Sequence, residues 1–258
     1  MIFNRKNKNI LIFWYKKVKN IGDALNPFLI EKISNKNVKW VKPRSKNKHY
    51  ICIGSILQAA NKYTEVWGSG FISASSYLAE KPLRIWSVRG PLSRKKLISL
   101  GIDCPEIYGD PALLLPRMYY PKIEKKYKIG IVPHYVDKHN VWLNNFKNDN
   151  DIKIIDVQKD DPLKFIDDIL SCKTIASSSL HGIITADAYN IPSLWLEFSN
   201  KVSGKGFKFL DYFMSVKRKE KEPIVINNHT NITEIFNKFY TYRIDIDIDD
   251  ILKNCPFI

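Results

Sequence analysis

At 258 residues the chain is long enough for one large domain or two small ones, and 45% hydrophobic with 12% aromatic residues excludes a disordered polymer. There are 41 Lys and Arg against 26 Asp and Glu, a formal charge of +15. The basic residues are scattered in pairs along the chain, so the charge points to no nucleic-acid face. It is compatible only with acidic substrates and a peripheral contact with anionic membrane.

No apolar run approaches the roughly 18 residues of a membrane span. The polar segment Met1 to Asn9 and the short run Ile10 to Tyr15 lack the form of a secretion signal, so a cytoplasmic protein is expected, peripheral at the inner face of the cell membrane if it touches one. Cys52, Cys104, Cys172 and Cys255 are scattered without a Cys-x-x-Cys pair, which reads as reduced packing residues and no metal site.

Short apolar runs alternate with helical stretches, the pattern of a parallel α/β sheet. Strands are predicted at 10–15, 38–41, 50–54, 65–67 and 83–88, with helices from Gly22 to Ile33 and from Pro91 to Leu100. Residues 117–126 are charged and aperiodic and read as a linker. The pattern restarts with strands at 128–132, 152–157, 174–176 and 193–198, and helices at 162–170, 180–189 and 207–214. A last amphipathic segment is expected after a Thr230 cap. The organisation is therefore two Rossmann-like domains facing a cleft, residues 1–118 and 126–216, followed by a basic stretch and helical tail at 217–258. In such sheets ligands bind where the strands end and the helices begin.

Several of those junctions carry chemistry. In Ser177-Ser178-Ser179-Leu180-His181-Gly182, a helix starting near Leu180 offers unpaired N–H groups and a positive end to an anion. One serine would cap the helix, the other hydroxyls are spare donors, and His181 is placed to move a proton. The alternative is a serine-capped helix with a structural histidine. His134 follows a strand and should look into the same cleft. Arg89, at the matching edge of the first half, offers a planar fork for a carboxylate or phosphate. Lys205 sits in a Gly-rich turn that lacks the spacing of a phosphate loop, yet can hold an anion. Gly68 and Ser69 lie in a lone Gly-x-Gly, too little for a dinucleotide fingerprint. Asn20 and Asp23 open the first helix, where Asp23 either complements the helix end or bonds a sugar hydroxyl. Asp110-Pro111 reads as a turn builder.

In order, Asn20-Ile21-Gly22-Asp23, Gly68-Ser69-Gly70, Ser87-Val88-Arg89-Gly90, Gly109-Asp110-Pro111 and Ser179-Leu180-His181-Gly182 resemble the polysaccharide pyruvyl transferase family, over roughly Lys16 to Val216. The resemblance implies a glycosyltransferase-B-like fold. It implies transfer of the enolpyruvyl group of phosphoenolpyruvate to two hydroxyls of a sugar in a surface polysaccharide or its lipid-linked precursor, giving a pyruvate ketal and phosphate. Phosphoenolpyruvate is a co-substrate, and no separate cofactor is implied. The resemblance places Arg89 and Leu180-His181 at the donor site. His134, Ser177, Ser178, Ser179 and Lys205 join them there on the junction reading, with Arg89, His134 and His181 as catalytic candidates. Asn20, Asp23, Gly68 and Ser69 are the acceptor side. Many members have arginine two places before the histidine; here Ser179 stands there, and His134 or Lys205 is the conjectured substitute. The rival readings are a nucleotide-sugar glycosyltransferase of similar fold and a non-enzymatic basic module for glycans or nucleic acid.

Overall fold

A computed structural model describes residues 9–258; the polar N-terminus at residues 1–8 lies outside the described residues. β1 (Ile10–Ile12) is followed by α1 (Ile21–Ser34), which begins where Asn20 accepts the Gly22 N–H and stops at Asn35, a left-handed residue at φ 53°. β2 (Val38–Trp40), β3 (His49–Ile51), β4 (Thr64–Trp67) and β5 (Arg84–Ser87) come next. α2 (Pro91–Ser99) carries Pro91 in its first turn, and the short α3 (Leu115–Met118) ends the half.

The second half runs β6 (Tyr127–Val132), β7 (Ile152–Ile154), α4 (Pro162–Leu170), β8 (Cys172–Ser177), α5 (Leu180–Ala188), β9 (Ser193–Glu197) and α6 (Phe207–Ser215). β10 (Ile224–Val225), α7 (Ile232–Phe236) and α8 (Ile248–Lys253) complete it. α7 is capped by Asn231, which accepts the Thr233 N–H, and not by Thr230.

The strands form two five-stranded sheets, ordered β2-β1-β3-β4-β5 and β10-β9-β8-β6-β7, and every pairing is parallel. The protein is thus α/β with a Rossmann-like sheet in each half. The inner strand β6 is buried at its last four positions, Ile129 to Val132, and reads there as an unbroken apolar run, as a parallel strand covered on both faces does. Counted from its own first strand, each sheet has the order 2-1-3-4-5. In that order the connections leave the first and third strands toward opposite edges. The crevice beyond their carboxyl ends is therefore open for a ligand. Here that crevice lies after β1 and β3 in one sheet, and after β6 and β8 in the other.

Residues 217–258 do not hang apart as a tail. β10 extends the second sheet beside β9, while α8 returns to the first half: Trp67 donates its indole N–H to the Ile251 carbonyl at 3.0 Å, and Phe257 packs edge-on against Tyr50 and Trp67. The two halves also meet directly. Gly204 fits against the Ile72 carbonyl and Gly90 against the Asp211 carbonyl, each where an added Cβ would come within 1.9 Å of the oxygen. No helix among the described residues is long and apolar enough to cross a membrane.

Candidate active site

A cavity of about 330 Å³ opens where the two crevices face each other. Tyr15, Asn20 and Asp23 enter it from the β1–α1 loop, and Gly54 and Ser55 from the end of β3. His134 and Tyr135 follow β6, Ser179 to His181 follow β8, and Lys208 comes from α6.

His181 occupies the second position of α5, so its ring stands at the helix mouth. Its Nε2 faces Oδ2 of Asp110 at 3.5 Å, within ion-pair reach but not in hydrogen-bond geometry. Both atoms are buried and neither has a hydrogen-bond partner among the described residues, so a proton on Nε2 has only the Asp110 carboxylate to face. Asp110 was expected to build a turn, and it does: its Oδ1 accepts the Ala112 N–H at the start of the buried turn Pro111–Leu114. α5 packs on that turn, which is how the carboxylate reaches the histidine. The opposite wall of the ring is Gly22, where an added Cβ would fall 2.2 Å from Nδ1. Gly22→Ala should therefore push the imidazole off Asp110. We expect a loss of turnover of at least about tenfold with an unchanged fold by circular dichroism, since a small misplacement of a reacting group is costly. Wild-type turnover would show that the ring position is not used.

The three serines divide their tasks. Ser177 Oγ bonds the Val132 and Ser179 carbonyls and accepts the Ser179 N–H, so it braces the turn beneath the helix. Ser178 Oγ accepts the His134 N–H at 2.8 Å and holds the β6 loop in place. Neither lines the cavity. Ser179 does, and as the N-cap residue its side chain makes no capping bond. Together with the Leu180 and His181 N–H groups, which have no intrahelical acceptor, it forms the donor-lined mouth of α5.

His134 lines the cavity, but burial, with Lys208 nearby, pushes its imidazole down to about 3. It is neutral near pH 7 and cannot supply the missing positive charge; it can only donate or accept a hydrogen bond. Lys205 cannot supply it either: it is exposed, in a left-handed turn at φ 44°, and does not line the cavity. The lysine that does line the cavity is Lys208, one turn further on, 8% exposed and lowered to about 8 by burial and by the nearby Arg89. It was not singled out from the sequence. α6 turns Phe209, Tyr212 and Phe213 to its own core and buries Lys208, Asp211 and Ser215 at i, i+3 and i+7, a polar stripe that could have marked the buried lysine.

Arg89 is wholly buried and does not line the cavity. Its Nε and Nη2 both bond Oδ2 of Asp211, Nη2 also bonds the Phe71 carbonyl, and Nη1 bonds Ser55 Oγ at 2.6 Å. Asp211 additionally accepts from the Ser93 N–H and hydroxyl. The arginine therefore ties the first half to α6 of the second, and touches the cavity only through Ser55. Gly68 and Ser69 also stand behind the wall. Gly68, at φ 81°, packs on Pro111, and Ser69 donates to the Gly54 carbonyl. Gly70 leaves room for the guanidinium, which an added Cβ would meet at 2.5 Å.

Asn20 and Asp23 do line the cavity. Asp23 accepts the Tyr15 N–H at 2.8 Å, and burial pushes its carboxyl up to about 6 against that bond and the nearby His181. The cavity thus gathers an imidazole, a carboxyl that titrates near neutrality, an ammonium and a helix N-terminus.

The chain is 35% identical over 257 residues to the uncharacterized protein L143 of Acanthamoeba polyphaga mimivirus, covering 95% of this chain and 88% of that one. It is 26% identical over 208 residues to the succinoglycan biosynthesis protein ExoV of Rhizobium meliloti (strain 1021), covering 78% of this chain and 62% of ExoV. A crystal structure of a functionally uncharacterized Klebsiella pneumoniae protein aligns with a TM-score of 0.48 at 11% identity, over 85% of this chain and 93% of that one. The profile of the polysaccharide pyruvyl transferase family matches residues 2–200, a span that includes the Asn20 to Asp23 helix start, the Arg89 junction, Asp110 and the α5 mouth with His181. On that match, the chain belongs to the polysaccharide pyruvyl transferase family.

Proposed function

We propose that the protein transfers the enolpyruvyl group of phosphoenolpyruvate to two hydroxyls of a sugar in a surface polysaccharide or its lipid-linked precursor. What carries the reading is the convergence on one small cavity of a His181–Asp110 pair, the anion-facing mouth of α5 and Lys208. The two halves then work as in a glycosyltransferase-B-like enzyme, the second holding the donor and the first the acceptor.

Phosphoenolpyruvate carries a carboxylate and a phosphate, for which Ser179, the α5 N–H groups and Lys208 are the available donors. Asp110 keeps a proton on Nε2 of His181, so the mobile proton is the one on Nδ1. That proton goes to the methylene carbon, which becomes a methyl group, and C2 takes on oxocarbenium character. A sugar hydroxyl adds to C2 and gives its proton to Asp23. The C2–O bond to phosphate breaks with its electron pair leaving on phosphate, and the second hydroxyl closes the ketal and releases its proton. Two hydroxyl protons are lost, one balancing the methyl group and one the phosphate. The chemistry balances with phosphoenolpyruvate as co-substrate and without a resident cofactor.

The reading is tested by incubating the protein with phosphoenolpyruvate and candidate glycans. Phosphate release together with a pyruvate ketal in the product mass spectrum is expected. Release of nucleoside diphosphate from nucleotide sugars, with phosphoenolpyruvate inert, would overturn it in favour of a glycosyltransferase.

Besides His181, which must carry both protons to act as the acid, two groups shape the pH profile. Asp23 must be ionised to accept a proton, and its carboxyl titrates near about 6. Lys208 must be charged to hold an anion, and it titrates near about 8. kcat/KM, which reports the free enzyme, should rise through the first value and fall through the second. Asp23→Asn should lower activity and remove the acidic limb, whereas Lys208→Arg should keep activity and move the alkaline limb upward, since arginine stays charged. An alkaline limb that stays in place in Lys208→Arg would exclude this lysine.

A further inference from the structure

Beside the cavity, and sharing Tyr15, Val18, Asn20 and Asp23 with it, lies a second hollow of about 150 Å³ floored by Trp14 and closed by Ala24 on α1. The two hollows adjoin at Asp23, so a ligand that reaches from the reacting position past this residue would enter the second one.

The walls of this annex discriminate among ligand classes. Three lysines stand at or beside it, and all three are engaged. Lys19 pairs with Asp160 and Lys159 with Asp168, while the Lys16 ammonium lies 4.8 Å from the centre of the Trp14 ring and 4.9 Å from that of Trp40. The Trp40 indole N–H is bonded to the Trp14 carbonyl at 2.9 Å, which fixes the rings between which the ammonium sits. With those charges spoken for, the annex presents an aromatic floor, the half-exposed Tyr15 ring, and the Asn20 amide, whose Nδ2 is left to donate because Oδ1 caps α1. Rings that cover the apolar face of a ligand, next to a few directed hydrogen-bonding groups, suit a neutral sugar ring better than a phosphate.

We propose that this annex is a saccharide subsite for the sugar next to the one that is modified. The inference rests on the pyruvyl-transfer reading for which sugar reacts, but not for the existence of the subsite. The protein accordingly recognises its acceptor as part of a chain, and a free monosaccharide leaves the annex empty.

Ala24 lines the annex and not the cavity, so Ala24→Phe plugs one without touching the other. The measurement is binding of mono-, di- and tetrasaccharides of glucose, galactose and mannose by titration calorimetry, to wild type and to folded Ala24→Phe. Lys16→Ala, at the annex rim, provides a milder second variant. For at least one series the disaccharide should bind wild type about tenfold more tightly than the monosaccharide. The gain should vanish in Ala24→Phe and shrink in Lys16→Ala, with phosphoenolpyruvate affinity unchanged. Length-independent binding in every series, including no binding at all, overturns the subsite, as does a chain-length gain that survives the plug. Because no turnover is read, the subsite can hold while pyruvyl transfer fails, and the reverse.

Discussion

His181→Asn is expected to lower kcat by about 10² to 10⁴, the range that one positioned acid contributes, while calorimetry still shows phosphoenolpyruvate binding. The substitution is chosen for its geometry. The asparagine amide takes the place of Nδ1, from which the mobile proton leaves, and ends short of Oδ2 of Asp110, while the α5 mouth keeps its N–H groups. What disappears is a group able to carry a proton. Ser179→Ala should do the opposite, weakening donor binding and sparing the single-turnover rate once donor is saturating. A His181→Asn enzyme that turns over at the wild-type rate would leave the histidine as a filler between Gly22 and Asp110.

The other large effect is on folding. Arg89 and Asp211 are both fully buried, and their pairing joins the two halves. Asp211→Ala strands a guanidinium in the interior and should cost about 3–5 kcal/mol, read as a lower urea midpoint. Arg89→Lys keeps the charge but loses the fork, leaving bonds to Asp211, the Phe71 carbonyl and Ser55 unmade. It should be destabilised too, and any loss of donor affinity should be secondary to that. An Asp211→Ala protein within about 1 kcal/mol of wild type would show that the pair is not what holds the halves together.

The α/β alternation was legible because both sheets are parallel and covered on both faces, so their strands stand out as apolar runs. α4 forms at the bounds expected of it, 162–170: Asp161 caps it, Pro162 opens it, and Phe165, Ile166 and Ile169 keep helical spacing. β10 has two residues and α8 six, too short for any period to show, so residues 217–258 were mistaken for a tail. The junctions lie at the strand ends that surround the cavity, but nothing in the sequence marks which side chain at each junction reaches it. A serine that braces a loop and one that faces a ligand look alike in sequence. Asp110 and His181 are far apart in the chain, and only the packing of α5 on the Pro111–Leu114 turn brings them together. Lys208 escaped notice because a charged residue in a helix is usually solvated, and here the other half of the molecule covers it.

The return of α8 and Phe257 to the first half has a consequence for synthesis. The first sheet leaves the ribosome early, yet part of the packing around Trp67 and Tyr50 is supplied by α8 and Phe257, which are translated after every strand of the second sheet. Until they emerge, an indole N–H and two aromatic rings wait without their partners. The usual order, in which an N-terminal domain folds while the next is being made, is therefore incomplete here. Nascent chains arrested near residue 225 should show a first half that proteases still cut, and protection should arrive only when the last helix is free to dock.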